Sequence, residues 1–104
     1  MANFKNKRYM TIGVQNEIYP ILQIIMWNMI DKEIRKGQEM DYLQVFKLAP
    51  ANVNDKLHQE IIHSQEVPER ENKVTLKIDN VPITAKIFVI DSDEYVTMLL
   101  SNEY

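Results

Sequence analysis

The sequence predicts an α+β protein: one domain over residues 1–104, with one long helix (about 20–36) packed on a mostly antiparallel sheet of five to six strands that ends in a C-terminal three-stranded meander. Three observations lead there. A nearly continuous apolar run, Pro20-Ile-Leu-Gln-Ile-Ile-Met-Trp-Asn-Met-Ile30, gives way abruptly to the charged stretch Asp31-Lys-Glu-Ile-Arg-Lys36. Near the C-terminus, short apolar–polar alternations recur between turn residues, the signature of half-buried antiparallel strands. Finally, two glycines and four prolines leave no linker that would divide the chain.

Taken in order, Arg8-Tyr-Met-Thr-Ile-Gly-Val14 is rich in β-branched and aromatic residues and predicts a first strand, with Gly13 marking a bulge or close backbone approach. Pro20 is compatible with helix only in its first turn, where the missing N–H costs nothing, and so fixes the helix start. Gly37 supplies the stop, and Arg35 and Lys36 complement the negative end of the helix dipole. At 100° per residue the apolar residues form a stripe of Leu22, Ile25, Met26 and Met29, with Ile24 and Trp27 on the far side.

Tyr42–Leu48 predicts a second strand ended by Ala49-Pro50, and residues 51–58 a loop or short helical turn. Gln59–Val67 reads as a strand carrying Ile61, His63, Gln65 and Val67 on one face and ended by Pro68, with a short helix as the alternative. Val74–Ile78, Ile83–Ile90 and Tyr95–Leu100 complete the meander, joined by turns at Asp79-Asn80 and Asp91–Glu94. Phe88 and Ile90 make both faces of the middle strand apolar, which predicts cover on two sides.

Composition excludes several chemistries. Without cysteine there is no disulfide, thiolate metal site or cysteine nucleophile. The helical apolar run is too short for a bilayer, which needs about twenty residues, and no signal-peptide core follows the basic start, so the expected compartment is the cytoplasm. The net charge of −3 argues against nucleic acid, although Phe4-Lys-Asn-Lys-Arg-Tyr9 interleaves basic and aromatic residues and makes binding through Lys5, Lys7 and Arg8 the least favoured reading.

Catalytic constellations are sparse. His58 and Glu60 share one face of an extended strand, and with His63 they are the best metal candidates, although a strand cannot gather all three. They support an alternative reading as a small metal- or carboxylate-dependent hydrolase. Asp91, Asp93 and Glu94 lack the glycine and terminal glutamate of a calcium loop. Ser64 and its neighbour His63 point to opposite faces, so no serine–base pair forms, and no nucleotide or other cofactor motif is present.

Together, Arg8-Tyr-Met-Thr-x-Gly-Val14, Leu22-Gln-x-x-x-Trp27-x-x-Ile30-Asp31, Asp41-Tyr-Leu-Gln-Val-Phe46, His63-x-Gln-Glu-Val-Pro68, Thr84-Ala-Lys-Ile-x-Val-Ile-Asp91 and Thr97-Met-Leu-Leu100 resemble the domain-of-unknown-function family 960 of small Gram-positive bacterial proteins. The resemblance spans nearly the whole chain. It implies a cytoplasmic bacterial protein and brings no catalytic residues. The favoured expectation is a non-enzymatic interaction or regulatory module that binds a protein partner, a second copy of itself included. Its candidate contact residues are Ile24, Trp27, Gln44, Gln65 and Glu66, with ordinary strand polarity as the alternative for the glutamines.

Overall fold

A computed structural model describes residues 2–104. The chain runs β1 (Arg8–Met10), α1 (Ile12–Glu17), α2 (Pro20–Arg35), β2 (Leu43–Val53), β3 (Lys56–Gln65), β4 (Arg70–Leu76), β5 (Ala85–Asp91) and β6 (Val96–Leu100), followed by a 3-10 turn at Ser101–Glu103. The six strands form one mixed sheet in the order β1-β6-β5-β2-β3-β4, antiparallel except for the parallel β1–β6 pair. The α+β class is therefore as expected. Of the two α-helices among the described residues, only α2 is long.

Helix α2 starts at Pro20 and ends in a Schellman motif. Gly37 takes φ +75°, its N–H bonds the Ile34 carbonyl, and Gln38 N–H bonds that of Glu33. Leu22, Met26 and Ile30 of α2 are fully buried, and Ile25 and Met29 flank them half-buried. At about 1.5–3 kcal/mol for each fully buried side chain, this stripe is the main attachment of the helix to the sheet. It packs on Phe46 and Leu48 of β2, Ile61 of β3, Ile87 and Val89 of β5, and Val96 and Met98 of β6.

Three expectations fail for identifiable reasons. The segment 8–14 is not one strand: pairing with β6 ends at Met10, where Thr11 turns the chain into α1 by accepting a hydrogen bond from Val14 N–H through its hydroxyl. Gly13 therefore lies in a helix rather than a bulge, and a Cβ there would stand 2.6 Å from the Glu103 carboxylate. Residues 49–58 are not a strand end and loop. Strands β2 and β3 continue as a long hairpin to Val53 and Lys56, closed by Asn54 (φ 51°) and Asp55 (φ 64°), two residue types that tolerate the left-handed region.

The third failure is the C-terminal meander. Strand β4 pairs with β3 and not with β5, so the meander is β2-β3-β4, while β5-β6 is a separate hairpin on the other side of β2. The connection 77–84 crosses the end of the sheet. It is pinned by buried Gln59, whose Oε1 accepts from Ile83 N–H at 2.9 Å and whose Nε2 donates to the Ile83 carbonyl at 3.0 Å. No local periodicity encodes that crossover. Strand β3 places Ile61, His63 and Gln65 inward as expected, but Val67 lies in the following turn and is 72% exposed.

Candidate functional site

Two surfaces of the sheet are chemically distinctive. The first is a polar relay at one end of the helix-facing side. Gln65 is buried, and its Nε2 donates to the carbonyls of Glu39 (3.1 Å) and Pro68 (2.7 Å), which fixes the orientation of its amide. Its Oε1 then accepts from Asp41 N–H (3.2 Å), Gln44 Nε2 (2.9 Å) and Arg70 Nη2 (3.0 Å). Gln44 Nε2 also donates to the Asp41 carbonyl at 2.8 Å, so Gln44 Oε1 is left as an acceptor 2.6 Å from His63 Nε2.

That chain of donors sets the histidine tautomer. His63 must carry its proton on Nε2, and its buried Nδ1 is a lone-pair acceptor with no partner among the described residues. The ring stacks on Phe46, centroids 4.3 Å apart and planes 12° from parallel. Across the same space Glu33 of α2 is buried, accepts from Asn72 Nδ2 and lies 3.8 Å from Arg70 Nε. A cavity of about 130 Å³ separates α2 from β3 and β4, lined among others by Met29, Lys32, Glu33, Lys36, His63 and Asn72.

Burial, and secondarily the positive Arg70, lowers the His63 pKa to about 4. Unfolded His63 titrates near 6.5, so between about pH 6.5 and 4 the unfolded chain binds more protons and folding weakens as pH falls. The linked stability is complete above pH 6.5 and lost by about pH 4; a shift of this size corresponds to about 3 kcal/mol. Urea midpoints measured at both pH values should show this loss, and a His63→Gln variant should lack most of it.

The second surface is the opposite, helix-free face of the sheet. Leu43 and Val45 of β2, Ile62 of β3, and Phe88 and Ile90 of β5 are half-buried there, and Leu99 of β6 is buried. The apolar double face of β5 is real, but the expected second layer over Phe88 and Ile90 is replaced by the edge of the Tyr104 ring against Phe88 (5.6 Å). Across this face the register aligns Lys86, Lys47, Ile62 and Lys73 in one row. Lys73 Nζ approaches Glu60 at 3.9 Å, while Lys47 and Lys86 stand directly opposite each other.

The structure scatters the residues singled out in the sequence. Gln44 and Gln65 are internal relay members and are not available at a surface. Ile24 is 55% exposed on the outer side of α2, and Glu66 is exposed in the β3–β4 turn. Trp27 is half-buried beneath the Arg8 guanidinium, 4.8 Å from its ring, and Arg8 is also paired with Asp31. That contact covers Trp27 but leaves Ile24 exposed on the far side of the helix, and it removes Arg8 from a free basic arm. His58 and Glu60 lie on the helix-free face and His63 on the other, so the sheet itself separates the three proposed ligands. Among the described residues no group of three or more metal-binding side chains converges.

Sequence reasoning missed Glu33, Arg70 and the lysine row. Glu33 was the findable one, because it continues the Met26–Ile30 stripe by three residues, where a carboxylate implies a buried partner. The lysine row depends on the register of four strands and has no local signal.

No curated protein matches this chain. Its fold is similar to the crystal structure of a protein of unknown function from Enterococcus faecalis, with a TM-score of 0.77 and 25% identity, covering 100% of this chain and 97% of that one. The family described as a Staphylococcal protein of unknown function, DUF960, matches residues 7–103, so the chain belongs to the DUF960 family.

Proposed function

We propose that this protein is a non-enzymatic, cytoplasmic interaction module that docks an acidic, amphipathic protein segment on the helix-free face of its sheet. One observation carries the reading: a row of lysines crosses a half-buried apolar face in a protein of net charge −3. Lys47 and Lys86 directly opposite each other disfavour the folded state by themselves, and a partner carboxylate between them would offset that repulsion. The surrounding Val45, Phe88, Ile90 and Leu99 supply the apolar contact. A second copy fits less well. The acids on this face are Glu60, already near Lys73, the edge residue Glu71, and Glu103 beside Ile90 and Leu99, which accepts from the Thr11 hydroxyl and Leu100 N–H, so a facing copy offers few free carboxylates to the central lysines.

Lys47→Glu separates stability from binding. It replaces a like-charge pair with an opposite-charge pair, so stability should rise by about 0.2–1 kcal/mol. Binding of a synthetic peptide of alternating glutamate and leucine should weaken by about tenfold or more. A matched peptide with lysine for glutamate should not bind either protein. Equal affinity of wild type for both peptides, or no effect of K47E, overturns the reading. A dimer in sedimentation that dissociates on Val45→Arg would assign the face to a second copy instead.

A further inference from the structure

We propose that the outer edge of β4 takes an added antiparallel strand. The occupant is an extended segment of a partner protein, with an apolar residue and, four positions after it, an acid, both turned toward α2. Strand β4 is the long free edge of the sheet. The other edge, β1, has three residues, whereas β4 has seven and pairs with β3 in unbroken register from Arg70 to Leu76. Every second residue of an edge strand turns its N–H and C=O outward. Among the described residues nothing bonds to the backbone of 70–76 from that side. Shortness, proline and bulges commonly guard such an edge, and β4 has none of them.

Helix α2 does not reach across β4. Val74 and Leu76 on the helix side are half-buried, whereas Ile61 of β3 on the same side is fully buried. Two cavities open along the gap. One, of about 450 Å³, lies between Ile21 and Ile25 of α2 and Leu76 and Ile78. The other, toward the start of β4, brings Lys32 and Lys36 of α2 beside Asn72. The gap is therefore apolar at Leu76 and basic at Asn72, four residues or about 13 Å apart along the strand. Side chains four positions apart on an added strand share one face and span the same distance.

Charge decides the occupant. Lys32 and Lys36 are exposed and make no ion pair among the described residues. Glu33, between them in sequence, is buried and already held by Asn72 and Arg70. A second copy pairing through its own β4 would offer Arg70, Asn72, Val74 and Leu76 on the helix side, with no carboxylate among them. A foreign strand with an acid opposite Asn72 answers both lysines, and main-chain hydrogen bonds to β4 supply the rest of the contact.

The test is titration of the full-length ¹⁵N-labelled protein with the end-blocked peptide Thr-Leu-Thr-Val-Thr-Glu-Thr, read by amide hydrogen exchange. Alternate amides within 70–76 should gain saturable protection. N-methylating one alternating set of peptide residues should weaken binding at least about tenfold, and N-methylating the other set should have little effect. Lysine in place of the glutamate should also cost about tenfold; Lys32→Glu/Lys36→Glu should reverse that preference, and the milder Lys32→Gln/Lys36→Gln should erase it. No saturable protection in β4, equal loss from both N-methylated sets, or a preference unchanged in K32E/K36E and K32Q/K36Q would each overturn the proposal. So would protection of β4 that rises with protein concentration alone, which gives the edge to a second copy. The helix-free face is read through Lys47 and a different peptide, so either proposal can fail without the other.

Discussion

Replacing Phe46 with alanine should be the most damaging apolar substitution at the centre of the fold, costing about 3–5 kcal/mol in equilibrium urea unfolding. Phe46 is fully buried on the central strand β2 and faces Ile87 of β5 on one side and His63 of β3 on the other. Truncation removes transfer energy and leaves a hole between two sheet strands and α2 that backbone hydrogen bonding prevents from closing. For a domain of typical stability, about 5–15 kcal/mol, the variant still folds but only marginally.

A second consequence distinguishes Phe46 from other core residues. It forms one wall of the His63 environment, with the rings stacked at 4.3 Å. Water admitted by F46A should relieve the burial that depresses the imidazole, so its pKa should move up from about 4 toward 6.5. Met98→Ala, also fully buried but on β6 beyond β5, should lose stability without moving that titration. A loss in F46A below about 1 kcal/mol, or an unchanged His63 titration, would show that the stacking is incidental.

The parts of this fold that were legible in the sequence are those whose cause is local. Pro20 and Gly37 bracket α2 because each acts through its own backbone torsion. The inward set Ile61, His63 and Gln65 followed from the two-residue period of a strand. The parts that were not legible have distant causes. The order of β4 and β5 depends on a crossover held by Gln59, and the pairing alternatives for Val74–Leu76 are equally consistent with its alternation. Thr11 overrode the strand propensity of residues 11–14 by capping a helix whose N-terminal turn rests against Glu103, a residue 92 positions away.

The candidate sites divide along the same line. Phe88 and Ile90 signalled an apolar outer face of β5, but periodicity cannot say whether another layer of the same chain covers it. Gln44, a polar residue in an apolar strand, and Gln65, just ahead of Pro68, are both legible as candidates. They proved to be mutually bonded at the end of the core, which is the usual fate of a buried amide because an unpaired one is costly. Trp27 is half-buried under the guanidinium of Arg8, nineteen residues earlier, a cover that no local pattern announces. Each case turns on a contact between segments whose spacing in the sequence carries no periodic signature.

The relay makes Gln65→Leu the most informative polar substitution. Leucine fills similar space but withdraws the acceptor of Asp41 N–H, Gln44 Nε2 and Arg70, and the donor to the Glu39 and Pro68 carbonyls. Each buried group left unpaired costs about 1–3 kcal/mol. The adjacent turn 66–69 is exposed and lets water reach some of them, so the expected total is about 3 kcal/mol. The sharper consequence is orientational. With Gln65 gone, one of the two acceptors that hold Gln44 Nε2 in place disappears, and the amide can turn its NH₂ toward His63. His63 would then accept at Nε2 and move its proton to Nδ1, so the ring nitrogen shifts should become averaged between tautomers. Gln59→Leu is the control: Gln59 is equally buried and bonds Ile83, Ala49 and Glu60 far from the imidazole, so its loss should lower stability comparably and leave the His63 tautomer intact. If Q65L retains a pure Nε2–H tautomer, the proton is held by the His63–Gln44 contact alone and the orientation of the relay is not set at Gln65.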